Sequence, residues 1–278
     1  MAYYTLITGA TGGLGNAFAF ACAEKGHNLI LTGTNTLKLE SITKRIVDNY
    51  KNIKVVSKTC DLSDEKDRKQ FIDYLNQEEL SVNFLINNAG YIAEGEFLRH
   101  TDEEVIKTIR VNCEGTVDIT QKIIKARKDN SLLRIITVSS MAGDYPMPYM
   151  GIYSATKSML TSIMVSLNYE LKDGNVIITT ICPSGIPTTE EMKDAIKAQG
   201  FAGKITASSP EYIANLALKA NEKGKVLVVP KMVNKFIKGI SRLCSEKSLA
   251  KIVGKRWKKA QEKRNLMWEE KKWVRKEM

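Results

Sequence analysis

The sequence predicts a doubly wound α/β protein: a seven-stranded, mostly parallel sheet flanked by helices, followed by a basic helical C-terminal extension. Three observations predict it. Short β-branched and aliphatic runs alternate with longer stretches of helical period, a glycine cluster directly follows the first run, and the composition changes after Pro230. Near-continuous apolar strands separated by helices indicate a parallel sheet covered on both faces. Ligands of such sheets bind beyond the carboxyl ends of the strands.

In chain order, the strands are YYTLIT (3–8), NLILT (28–32), IKVVSKT (53–59), NFLIN (83–87), LRIITV (133–138), VIITTIC (176–182) and KVLVV (225–229). Between them lie helical patterns: one opening after Gly15, then 36–50, 64–79, 101–128, 153–172 and 210–223. Two helix starts are signalled locally. Thr101 is an N-cap with Glu104 three residues on, and Ser209 is an N-cap followed by Pro210 at the first helical position.

At 278 residues, 43% hydrophobic and 26% charged, the chain has the composition of a globular protein with a substantial core. No apolar run approaches the roughly 18 residues that a membrane span needs. MAYYTLITG has no cationic stretch ahead of its apolar residues, so no secretory leader is expected. Cys22, Cys60, Cys113, Cys182 and Cys244 lie far apart without metal-ligand spacing, and His27 and His100 are isolated. No metal site is expected, and the cysteines point to a reducing, cytoplasmic setting.

The net charge of +11 is carried by the tail. Residues 231–278 hold 16 Lys and Arg against 5 Glu, leaving 26 basic and 26 acidic groups in the first 230. Trp257, Trp268 and Trp273, all three tryptophans, lie there too. The expected division is a main catalytic domain, 1–230, and a basic amphipathic extension, 231–278.

TGATGGLG (8–15) falls between the first strand and the first helix. Glycines there allow a tight turn and let backbone N–H groups approach a pyrophosphate, which the helix N-terminus then attracts. After the second strand, LTGTNTLKL has no Asp or Glu from Thr32 to Thr36. A carboxylate at that point would repel a ribose 2′-phosphate, so its absence favours NADP(H) over NAD(H). Thr34, Asn35 and Lys38 are the available donors, and no arginine stands beside them.

These motifs together resemble the short-chain dehydrogenase/reductase family, over residues 3 to about 229. TGATGGLG is followed by Asp61-Leu62, NNAG at 87–90, Val111-Asn112, Ser139-Ser140 and YSATK, with Ser140 thirteen residues before Tyr153. The resemblance implies a Rossmann-type fold and reversible hydride transfer between NADP(H) and a ketone/secondary alcohol pair. It implies that Gly9, Thr11, Gly13, Leu14 and Gly15 cradle the pyrophosphate, and that Asp61 and Leu62 meet the adenine. Asn88, Ala89 and Gly90 would pass the adenosine ribose; Pro183 and Thr188 would flank the nicotinamide. Ser184 stands where the family often has glycine.

Tyr153 and Lys157 are four apart, hence on one helical face. Tyrosine titrates near pH 10, and a nearby ammonium is expected to lower that value and make the phenol a usable acid and base. By the resemblance, Ser140 would hold the substrate carbonyl, Lys157 would also bond the nicotinamide ribose, and Asn112 would position a water in a proton route. The segments MAGDYPMPYMGI and GIPTTEEMKDAIKAQGFAGK would form the lips of the pocket. Met141, Tyr145, Met147, Tyr149, Met150 and Met192 make them apolar and adaptable. With no arginine in either lip, a bulky lipophilic ketone of hydroxysteroid, bile-acid or oxoacyl type is expected. A non-catalytic cofactor sensor on the same fold is the alternative, and an epimerase or dehydratase cousin a third reading.

In the tail, Val233, Phe236, Ile237, Ile240 and Leu243, then Leu249, Ile252, Val253 and Trp257, recur at helical spacing, interrupted by Gly239 and CSEKS. They predict two short amphipathic helices with lysine-rich outer faces. Packing on the same domain or a partner subunit, where the helices would help cover the substrate entrance, peripheral attachment to anionic lipid, and nonspecific nucleic-acid contact all remain open; no specific nucleic-acid site is expected. The resemblance also implies a homodimer or homotetramer built on the helices at 101–128 and 153–172.

Overall fold

The computed structural model describes residues 2–127 and 130–277, with side chains to residue 267. Lys128, the predicted end of one helix, and the side chains of Trp268 and Trp273 lie outside the described residues. Seven strands form one sheet: β1 (Tyr3–Ile7), β2 (Asn28–Gly33), β3 (Val55–Thr59), β4 (Ser81–Asn87), β5 (Leu133–Val138), β6 (Val176–Ile181) and β7 (Leu227–Val228). Their order is β3-β2-β1-β4-β5-β6-β7, and every ladder is parallel.

The strands are apolar on both faces because both faces are covered. Along β4, Phe84 and Ile86 join the cluster containing Phe18 and Ile213, whereas Leu85 joins the one containing Phe71, Ile119 and Leu160. The first face carries α1 (Gly13–Glu24), α2 (Thr36–Asn49) and α9 (Pro210–Glu222). The second carries α3 (Glu65–Gln77), α5 (Thr116–Lys125) and α6 (Gly151–Glu170). Strand order reverses beside β1, which opens a crevice between the carboxyl ends of β1 and β4.

The stretch predicted as one helix from residue 101 is α4 (Asp102–Ile109), a π-helical turn at Arg110–Gly115, then α5. The capping box of Thr101 and Glu104 opens α4. The π turn has two local causes. Asn112 is drawn to the backbone of Tyr91, and a Cβ on Gly115 would lie 2.4 Å from the carbonyl oxygen of Leu62. Such turns recur at functional sites because they re-aim a side chain.

The extension departs from expectation. α10 (Met232–Ser241) runs through Gly239, and α11 is one long helix, Glu246–Glu277, rather than a short one. The outer face of α10 is not the lysine-rich one. Met232, Phe236 and, just past its end, Leu243 are 75%, 69% and 88% exposed, whereas Asn234, Lys238 and Ser241 are buried. The cause lies beneath. α8 (Gly200–Thr206) ends there, and the last carbonyls of a helix need donors. Asn234 Nδ2 donates to the carbonyls of Thr206 (3.0 Å) and Pro230 (2.9 Å), and Lys231 Nζ donates to those of Ile205 and Ala207.

Candidate active site

α1 begins without a side-chain cap and without an acid in its first turn. By contrast Asn35, Asp64, Thr101, Thr189 and Ser209 cap the helices they precede, including α7 (Glu190–Ala198). The bare N–H groups of α1 therefore face the crevice, ready for an anion. Gly9 turns with φ +64°, and a Cβ on Gly13 would lie 2.8 Å from that of Thr188. Asn88 fixes this turn rather than facing the groove with its amide: Nδ2 donates to the carbonyls of Thr8 and Gly9, both at 3.1 Å.

The resulting groove encloses about 540 Å³ and is lined by Gly9, Thr11, Gly13, Leu14, Gly15, Thr34, Asp61, Leu62, Asn88, Ala89, Gly90, Pro183 and Thr188. Asp61 accepts from Ser63 N (2.8 Å) and Oγ (2.7 Å) through one oxygen. Two expected donors stand apart. The side chain of Asn35 caps α2 by accepting from Lys38 N at 2.9 Å, and neither Asn35 nor Lys38 lines the groove. Glycine cradle, open helix terminus and groove volume fit a nicotinamide dinucleotide.

At the inner end of the groove stand Ser140, Tyr153 and Lys157. Ser140 leaves β5 and accepts from Ala142 N at 3.0 Å. Behind it a Cβ on Gly143 would lie 2.7 Å from the Lys157 carbonyl carbon, so only glycine lets this turn reach α6. No sequence motif singles out Gly143. Lys157 Nζ donates to the Val138 carbonyl at 2.9 Å and lies 5.7 Å from the Tyr153 ring centre.

The phenol of Tyr153 shifts opposite to the expected direction. Burial pushes the phenol up to about 12, against which a hydrogen bond with Ser140 works. Burial brings the Lys157 ammonium down to about 8. Desolvation is the largest cause at both residues, and the ammonium is turned to a backbone carbonyl. Asn112 is likewise spent: its amide meets both backbone groups of Tyr91 and donates to Thr156 Oγ1 at 3.0 Å.

The sequence profile described as short chain dehydrogenase matches residues 4–199. The chain belongs to the short-chain dehydrogenase/reductase family. It is thus an oxidoreductase of carbonyl and alcohol groups on a fold that binds a nicotinamide cofactor. Like this chain, 3-oxoacyl-acyl-carrier-protein reductase FabG of Rickettsia conorii belongs to the SDR relatives; it is 30% identical over 217 residues, 76% of this chain and 86% of that protein. A very-long-chain 3-oxoacyl-CoA reductase of Vanderwaltozyma polyspora is 36% identical over 188 residues, covering 64% of this chain and 54% of its own length. A solved 7β-hydroxysteroid dehydrogenase superposes with TM-score 0.81 at 23% identity, over 91% of this chain and 96% of its own, a likeness of fold.

A second, apolar chamber of about 170 Å³ adjoins the groove. Met141, Tyr145, Met147, Met150 and Met192 line it as expected. Tyr149 does not: its backbone is left-handed, φ +70°, and its carbonyl accepts from Gly95 N at 2.8 Å. A further wall comes from the tail, whose packing on the main domain beside the pocket was one of the expectations. Asn234 and Ile237 of α10 and Val253, Arg256 and Trp257 of α11 complete the chamber. Two ion pairs clamp this wall to the main fold, Lys238 with Asp144 at 2.5 Å and Arg264 with Glu94 at 2.9 Å. Gly254 lets α11 approach, since a Cβ there would lie 3.1 Å from Pro148. The only sequence signal was the apolar spacing of Val253 and Trp257.

Proposed function

We propose that this enzyme is an NADP(H)-dependent reductase of a bulky apolar ketone, with Tyr153 as proton donor. The observation that carries the reading is that groove and chamber share Ser140 and Tyr153 as a common wall. NADPH bound in the groove would supply the hydride. Ser140 would hold the ketone oxygen, and the phenol, kept protonated by burial, suits donation to the developing alkoxide. Lys157 would stabilise the phenolate left behind. Among the described residues Asp61 is the one carboxylate lining the groove; the ribose end at Thr34 has none, which supports NADP over NAD.

The chamber lies below the roughly 300 Å³ usual for small-molecule sites. A bulky ketone therefore displaces methionine side chains, whose flexibility permits it. Reduced-nicotinamide absorbance with a panel of steroid, bile-acid and oxoacyl ketones, run with both cofactors, tests the reading. Turnover with NADPH, lost in Tyr153→Phe while cofactor binding persists, is the expected result. Binding of cofactor with no turnover of any ketone would favour the sensor.

Two further proposals concern partners. Exposed Ile106, Ile109, Met159, Val165 and Tyr169 on α4 to α6 support a homodimer or tetramer built there. The outward apolar face of α10, beside exposed Lys235 and Arg242, supports peripheral contact with anionic lipid at a cytoplasmic membrane surface. Among the described residues no helix is long and apolar enough to cross a membrane.

A further inference from the structure

The chamber wall supplied by α11 bears on the chemistry of the substrate. Two charged residues line the chamber, Glu94 and Arg256. Glu94 is neutralised: Arg264 reaches one oxygen at 3.0 Å and the other at 2.9 Å, with Gln261 Nε2 at 3.4 Å. Arg256 has no carboxylate partner among the described residues. Its one hydrogen bond goes to the side-chain oxygen of Gln199 at 3.2 Å. It lies close enough to Tyr145, a residue of the opposite lip, for its charge to favour ionisation of that phenol against the effect of burial.

An independent observation falls on the next residue. The indole Nε1 of Trp257 is buried and has no hydrogen-bond partner among the described residues, although the indole packs against the cluster of Ala142, Met147 and Met150. A buried donor left without an acceptor is costly, and proteins rarely leave one. The wall therefore carries an exposed cation at Arg256 and, on the next residue, a buried N–H, both donors, beside an otherwise apolar space.

We infer that the substrate carries a carboxylate on its apolar body, remote from the ketone, and that Arg256, assisted by the Trp257 N–H, binds it. A guanidinium and an indole N–H donate only, so an anionic acceptor satisfies both. The inference deepens the proposed function. Among the hydroxysteroid, bile-acid and oxoacyl ketones expected, it selects those that bear a free carboxylate, because an arginine arrives from the tail.

The test compares an apolar keto acid with its methyl ester, using the full chain with NADPH. Binding is followed by tryptophan fluorescence with Trp257→Phe as the control for signal origin, and turnover by nicotinamide absorbance. The acid is expected to bind at least about tenfold more tightly than the ester, the gain appearing in KM and weakening with salt. In Arg256→Gln the acid's affinity falls toward the ester's, and Arg256→Lys restores part of it. Acid and ester binding alike, or neither binding, overturns the inference. Preferential binding of the acid without reduction of either would uphold it while removing the proposed reductase activity. A long-chain oxoacyl thioester with a phosphorylated carrier arm, preferred over the free acid and dependent on Arg256, would overturn the carboxylate in favour of a phosphate.

Discussion

Asn112 meets the backbone of Tyr91 at two points: Nδ2 donates to its carbonyl at 2.9 Å and Oδ1 accepts from its amide at 2.8 Å. A carboxamide supplies donor and acceptor side by side, whereas a carboxylate only accepts. Asn112→Ala leaves these buried groups unpaired and is expected to cost about 2–3 kcal/mol. Thermal denaturation should show it, together with a loss of turnover as the loop after β4 loosens. An unchanged melting temperature would refute the role assigned to the pair.

Lys157 makes folding stability depend on pH. Its folded value, about 8 against an ordinary 10.5, is depressed, so the unfolded chain binds more protons between these two values. The penalty is complete below pH 8 and is relieved as pH rises toward 10.5. Tyr153, raised from 10 to about 12, works the other way, and stability falls once pH exceeds 10. Lys157→Met should therefore be more stable than the parent at pH 7, by on the order of 3 kcal/mol, while losing turnover. The difference should shrink toward pH 10 in chemical denaturation; a variant less stable at pH 7 would contradict it.

The glycine turn gives a graded series. A Cβ at Gly12 meets only the Gly9 carbonyl at an ordinary 3.5 Å, one at Gly13 meets Thr188 at 2.8 Å, and one at Gly15 meets the Gly9 carbonyl at 2.2 Å. Gly12→Ala should bind NADPH within about twofold of the parent, and Gly13→Ala about tenfold more weakly as Thr188 is pushed aside. Gly15→Ala should lose about 2 kcal/mol of stability or more, since backbone must move. Cofactor fluorescence and melting curves separate the three.

Arg68 is a buried clamp. Nε donates to Asp118 at 2.8 Å, Nη2 to Glu114 at 2.5 Å, and Nη1 to the Leu62 carbonyl at 2.7 Å, tying the loop that holds Asp61 to α5. Arg68→Ala should cost about 3–5 kcal/mol in urea denaturation. Asp118→Asn should cost less, because Glu114 and the carbonyl remain.

The sheet was legible because each strand is a continuous apolar run bounded by turn residues, and parallel order follows from the intervening helices. The Ser140, Tyr153 and Lys157 cluster was legible because spacing on one helix and one strand end dictates it. What escaped notice depends on neighbours distant in the chain. The π turn at Asn112 answers to Tyr91, the Tyr153 proton affinity to desolvation by its surroundings, and the inward polar face of α10 to bare carbonyls at the end of α8. Periodicity records which residues are apolar, not which surface already needs donors.

The wall contributed by α10 and α11 touches the chamber, yet none of its described residues lines the dinucleotide groove. This part of the chamber wall and the dinucleotide groove thus occupy separate lengths of polypeptide. Exchanging the segment after Pro230 with that of another reductase would change this wall of the chamber without rebuilding the groove. Trimming it to obtain a minimal enzyme would instead leave a cleft open to water along one side.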